Sequence, residues 1–193
     1  MPDVPRKWLN WTTYDGPLFS LKVGFVPIVD YSAFHQDDVS VSQVGKQDDQ
    51  WNLRSGRISI GGLLKFKVPI TYFASVEYKG LDRPPGAEGW AMTDVKLSIP
   101  VSKFGRISVG KIKETFSYEM VGDAANLPQL ERILNPFFTS RNIGVRVDNV
   151  IFKKKMTYAA GWFNDWWARD RPYDGSSNHF TGRITVAPMA LST

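Results

Sequence analysis

The sequence predicts an all-β protein, an antiparallel up-and-down transmembrane β-barrel wall of about eight strands. Three observations predict it. Apolar and polar residues alternate with period two through eight separate segments. The connections between those segments alternate between long and short. The 193 residues include 7 Trp, 7 Tyr and 12 Phe beside 16 Gly and 12 Pro, a mix that suits strands and turns better than a helical bundle.

The segments run in order as follows. In 19–25, Phe19, Leu21, Val23 and Phe25 oppose Ser20, Lys22 and Gly24. Pro27 follows, and because proline cannot donate to a ladder it marks a bulge or an early strand end. In 57–68, Ile58, Ile60, Gly62, Leu64, Phe66 and Val68 oppose Arg57, Ser59, Gly61, Leu63, Lys65 and Lys67. In 70–79, Ile70, Tyr72, Ala74, Val76 and Tyr78 oppose Thr71, Phe73, Ser75, Glu77 and Lys79. In 91–99, Ala91, Thr93, Val95, Leu97 and Ile99 oppose Met92, Asp94, Lys96 and Ser98. In 106–110, Ile107 and Val109 oppose Arg106 and Ser108. In 143–148, Ile143, Val145 and Val147 oppose Gly144, Arg146 and Asp148. In 156–163, Met156, Tyr158, Ala160 and Trp162 oppose Thr157, Ala159, Gly161 and Phe163. In 183–186, Ile184 and Val186 oppose Arg183 and Thr185. No long helix stands out, and a short helical turn suits 126–134.

Between these segments lie a long polar stretch at 35–52, a tight turn near 67–69, and a loop at 81–89 holding Pro84, Pro85 and Gly86. Then come a short turn at 100–105, the longest connection at about 116–141, a short turn at 153–155, and a long one at 164–178. A meander with this rhythm gathers its long loops at one end and its short turns at the other, the layout of an outer-membrane barrel. No stretch approaches the roughly 18 apolar residues of a membrane-spanning helix, but strands cross membranes too. Residues 1–7 lack the apolar core of a signal peptide.

The faces differ in charge. Lys22, Arg57, Lys79, Lys96, Arg106, Arg146 and Arg183 fall on the polar sides, against Glu77, Asp94 and Asp148. A lumen with excess Lys and Arg attracts anions and repels cations. Aromatics gather near segment ends, among them Tyr31, Phe66, Tyr78, Trp90, Phe152, Trp162, Trp166 and Trp167, as interfacial girdles do. The rival architecture is a soluble or secreted β-barrel or β-sandwich that binds an apolar or carbohydrate ligand, with its apolar face inward. The formal charge of +5 is spread one or two residues per segment, without a basic helix or phosphate loop, so no nucleic-acid partner is expected. The absence of Cys excludes thiol nucleophiles and Cys-ligated metals within this chain. His35 and His179 lie far apart, so neither a metal site nor a cofactor is expected. Glu114, Glu119 and Asp123 are close enough in sequence for acid–base work, but no nucleophile–His pattern accompanies them, and an enzyme is not expected.

The run Gly110, Lys113, Phe116, Ser117 and Glu119, then Glu131 and Arg132, then Arg141, Gly144 and Val145, resembles the phosphate-selective porin O/P family of bacterial outer-membrane channels. In that family a strand ends in a Gly-x-x-Lys-x-Pro-Phe-Ser-x-Glu-like segment, enters a long loop with an acidic–Arg pair, and returns through Arg-x-x-Gly-Val. The likeness continues through 158–164 and 181–185 and includes the opening 15–22, covering about 14–188. Thr115 departs from the pattern, standing where proline is common.

The resemblance implies a passive outer-membrane channel, trimeric at full length, with about 16 strands per subunit. It assigns residues 1–17 to a periplasmic extension, 18–188 to the first eight strands, and 189–193 to a truncated end. The chain is then expected to be the N-terminal half of the whole, without its signal peptide. The family's loop corresponds to 116–140, expected to fold inward as a constriction, with Lys113, Glu119, Glu131, Arg132 and Arg141 near it. The implied partners are phosphate-like inorganic anions as permeant solutes, with lipid and lipopolysaccharide outside.

Overall fold

A computed structural model describes residues 12–79, 89–101, 105–116, 141–152, 155–164 and 177–187. Among them are nine strands: β1 (Thr13–Asp15), β2 (Phe19–Ser32), β3 (Gln50–Leu64), β4 (Ile70–Lys79), β5 (Trp90–Pro100), β6 (Arg106–Lys113), β7 (Arg141–Ile151), β8 (Met156–Asn164) and β9 (Asn178–Val186). One helix, α1 (Asp38–Val44), lies between β2 and β3. The strands form one sheet in sequence order, each antiparallel to the next, and β1 and β9 are its two open edges.

Each of the eight segments expected from the alternation coincides with a strand, but 57–68 runs too far, since β3 ends at Leu64 and Lys65, Phe66, Lys67 and Val68 belong to the turn before β4. The ninth, β1, pairs Thr13–Asp15 with Lys22, Leu21 and Ser20. At three residues it is too short to show a period, and the sequence placed it in an extension. Helix α1 was also unforeseen, because Val39, Val41 and Val44 are all exposed and give it no core-facing stripe. Its ends follow capping rules. The Asp37 carboxylate accepts from the Ser40 amide at 2.8 Å, and Gly45 stops the helix with φ 77°. The helical turn expected at 126–134 and the loop 117–140 lie outside the described residues.

Two bulges set the phase of the sheet. At the first, Ile28 pairs Ser55 and Val29 pairs Leu53, so Arg54 is the extra residue. Pro27 sits beside it, and β2 continues to Ser32. Arg54 Nε donates to Asp30 Oδ2 at 2.6 Å across the bulge. At the second, Ser75 pairs Asp94 and Val76 pairs Met92, leaving Thr93 unpaired. This corrects the expected phase of the start of β5. Ala91 pairs Glu77 on the polar face, while Met92 and Trp90 join Val76 and Tyr78 on the apolar one. Thr93 is buried, with its hydroxyl 2.6 Å from that of Ser75.

Burial is inverted relative to a water-soluble sheet. Among the described residues only Ile112 and Phe163 are buried hydrophobics. The buried polar set is larger: Ser55, Ser75, Glu77, Thr93, Ser98, Ser108, Glu114, Thr115 and Arg141. Meanwhile Phe25 is 66% exposed, Ile184 68% and Phe180 81%. The faces of a flat, uncovered sheet would be exposed alike, so this sheet curls, and its polar face lies inside the curl.

The apolar face is ordered in rows. Phe19, Leu64 and Ile70 follow one another across β2–β4, and Ile99, Ile107, Val147 and Ala160 across β5–β8. The next row is Leu21, Gly62, Tyr72, Leu97, Val109, Val145, Trp162 and Phe180. Gly62 is needed where it stands, because a Cβ there would lie 1.9 Å from the Ser20 carbonyl oxygen. That space lets the Tyr72 hydroxyl donate to the same oxygen at 2.8 Å. Aromatic pairs close the face at both ends. Tyr31 and Trp51 (4.8 Å between ring centres) and Tyr78 and Trp90 (5.6 Å) stand at the long-loop end, and Tyr14 and Phe19 (5.2 Å) at the turn end.

Candidate functional site on the polar face

On the polar face, charged side chains from several strands converge. One row runs Lys22, Gly61, Phe73, Lys96, Gly110, Gly144, Phe163 and His179 from β2 to β9. Three glycines are interspersed among its large side chains. A Cβ at Gly61 would lie 2.9 Å from the Phe73 ring, and one at Gly144 would lie 2.6 Å from Phe163. Each phenyl ring thus fills the space its neighbouring glycine leaves. Lys96 holds its ammonium 5.4 Å from the centre of the Phe73 ring, a cation–π contact.

Of the seven expected lumenal cations, Lys22, Arg57, Lys96, Arg106, Arg146 and Arg183 stand on this face by register. Lys79 ends β4 at φ 56°, its amide donating to the Gly89 carbonyl at 3.2 Å. The structure also shows where the acids go. Arg57 Nη2 donates to Glu77 Oε1 at 3.0 Å. Asp148 takes both Arg106 (2.7 Å) and Arg146 (3.2 Å). Asp94 takes Arg141 at 2.9 Å. Among the described residues, Lys22, Lys96 and Arg183 have no acidic partner within ion-pair distance. Arg183 lies beyond Ala159 from Asp148 and keeps a buried Nη1 with no hydrogen-bond acceptor.

Of the residues expected at the constriction, Lys113 ends β6 and Arg141 opens β7, while Glu119, Glu131 and Arg132 lie outside the described residues. Arg141, with a side chain only 2% exposed, serves as the buried partner of Asp94.

A second cluster was missed at the sequence level. Glu114 is fully buried and accepts from Asn142 Nδ2 at 2.6 Å. Its Oε1 also lies 2.7 Å from His179 Nε2. The Thr115 hydroxyl donates to that of Thr181 at 2.9 Å, and His179 stacks on Phe163. In the sequence Glu114 is grouped with Glu119 and Asp123, and His179 stands far from His35, so spacing alone does not join Glu114 to His179. The signal was present in the phase of β9, since stepping back by twos from Arg183 puts Thr181 and His179 on the polar face.

Among the described residues no group of three His, Asp or Glu side chains could hold a metal, and no helix is long and apolar enough to cross a membrane. No protein-family model, curated protein or solved structure matches the chain.

Proposed function

We propose that this sheet is part of the wall of an outer-membrane porin of the phosphate-selective kind, a passive channel that favours small inorganic anions. The inverted burial carries this reading. Exposing Phe25, Leu97, Val109, Val145, Phe180 and Ile184 to water while burying Ser75, Ser98, Ser108 and Glu114 is unfavourable in solution. It is the arrangement lipid requires, where apolar side chains face out and polar ones face a lumen. The aromatic pairs at both ends of the apolar face fit the interfacial girdles of such a wall. An apolar-ligand barrel would need the opposite assignment of faces.

Anion preference follows from the pairing pattern. Asp30, Glu77, Asp94, Glu114 and Asp148 on the polar face are each engaged by a basic or hydrogen-bonding side chain. Among the described residues, Lys22, Lys96 and Arg183 stand on this face without an acid in ion-pair distance, spread over β2, β5 and β9. Spaced single charges attract an anion without trapping it, which conduction needs. The unpaired edges of β1 and β9 cannot stand in hydrocarbon, so the working wall is closed by further strands, in a barrel that assembles as a trimer.

Planar-bilayer recording tests this. Under a KCl gradient the folded protein is expected to give a reversal potential of the sign that marks chloride as the more permeant ion. A cation-preferring channel, or protein that stays in water and forms none, would refute it.

A further inference from the structure

The Glu114 cluster brings together strands that the sheet keeps apart. β6 and β9 are separated by two intervening strands, so three spacings of about 4.8 Å put them roughly 14 Å apart along the sheet. Two threonine side chains cannot bridge that distance. Yet the Thr115 and Thr181 hydroxyls are 2.9 Å apart. The chain therefore leaves β6 by crossing the polar face of β7 and β8. Contacts hold it at each step of the crossing. The Lys113 carbonyl accepts from Arg146 Nη1 of β7 at 3.2 Å. Glu114 accepts from Asn142 of β7 and meets His179 of β9. Phe163 of β8 lies in the space over Gly144 and Gly161, fully buried against the His179 ring.

We propose that residues 113–115 form a strap pinned over the inner face of β7–β9, with the Glu114–His179 pair as its lock. The pair is suited to this. Glu114 is wholly out of solvent, and a buried carboxylate is tolerated only with donors on it. Asn142 supplies one donor and His179 the other, both on Oε1, while Oε2 has no partner. Loss of His179 leaves the carboxylate on a single donor, and the strap lifts toward water. In the channel reading, on which this consequence rests, the strap itself lies on the lumenal face of β7–β9. Arg146 is shared between the strap and Asp148, with Nη1 on the Lys113 carbonyl and Nε on the carboxylate.

The chain contains no cysteine, so a single introduced thiol reports the strap. Thr115 is 1% exposed, and T115C is expected to react with a maleimide far more slowly than the unfolded chain. Adding H179A or E114A should raise that rate about tenfold or more, the factor set by losing one hydrogen bond to a buried charge. E114Q keeps an acceptor oxygen and should restore most of the protection. As a second measurement, T115C/T181C should form a disulfide under mild oxidation of the folded protein. Fast labelling of T115C in folded protein, or no rise on adding H179A, would overturn the proposal, as would two free thiols that never couple. None of these readouts requires ion flow. A channel that fails to conduct while the strap stays protected would sink the porin reading and leave the strap intact.

Discussion

Replacing Lys96 by serine removes one of the three polar-face cations without an acidic partner. The residue sits mid-strand, its charge held over Phe73 and in the field of Arg146, Arg106, Asp94 and Asp148. An anion passing at about 7 Å in water gains roughly 332/(80 × 7), or about 0.6 kcal/mol, from one unit charge. That is close to RT, so removing the charge should lower local anion occupancy, and the chloride-to-potassium permeability ratio, about threefold. The assay is the reversal potential of single channels at low salt. There the screening length is about 10 Å, whereas molar salt shortens it to about 3 Å and hides the effect. L97S, the neighbour on the other face, serves as control and should leave the ratio unchanged. An unaltered ratio in K96S, or an equal drop in L97S, would refute the assignment of Lys96 to the ion path.

Three further outcomes follow from the same geometry. D148N releases Arg106 and Arg146 from the carboxylate they share, so it should raise anion preference in the same reversal-potential measurement, opposite in sign to K96S. F163A removes the largest fully buried side chain among the described residues and leaves a hole over Gly144 and Gly161. It should cost about 3–5 kcal/mol in denaturant titrations of the folded protein, far more than truncation of exposed Phe25. V145R puts a charge on the apolar face and should weaken folding into bilayers by about 2–4 kcal/mol, read from vesicle-folding titrations.

The strands were legible because each face repeats its chemistry over several residues, and a period of two survives wherever neither side is interrupted. The interruptions are what hid the rest. A bulge adds one residue and leaves no mark in composition. Ala91 and Thr93 are small enough for either face, so the flip at Thr93 was invisible until Ser75 was seen paired with Asp94 and Val76 with Met92. β1 escaped because three residues carry no period, and α1 because its valines face outward. β9 was legible only at its end, since Gly182 at an apolar position breaks the alternation before Phe180 resumes it. Basic residues could be placed on a face, but which of them keep a free charge depends on cross-strand partners such as Glu77 and Asp148, and hence on register. The Glu114–His179 pair spans 65 residues and exists because the chain crosses two strands, a feature no local pattern encodes.

Which face meets lipid is measured most directly with spin labels placed one at a time in this cysteine-free chain, reconstituted in bilayers. Labels at Leu97, Val109 and Val145 are expected to be relaxed strongly by oxygen, which concentrates in hydrocarbon, and labels at Lys22, Lys96 and Arg106 by a water-soluble nickel chelate. The opposite pattern, or water accessibility on both faces, would contradict a sheet whose apolar side is its outside.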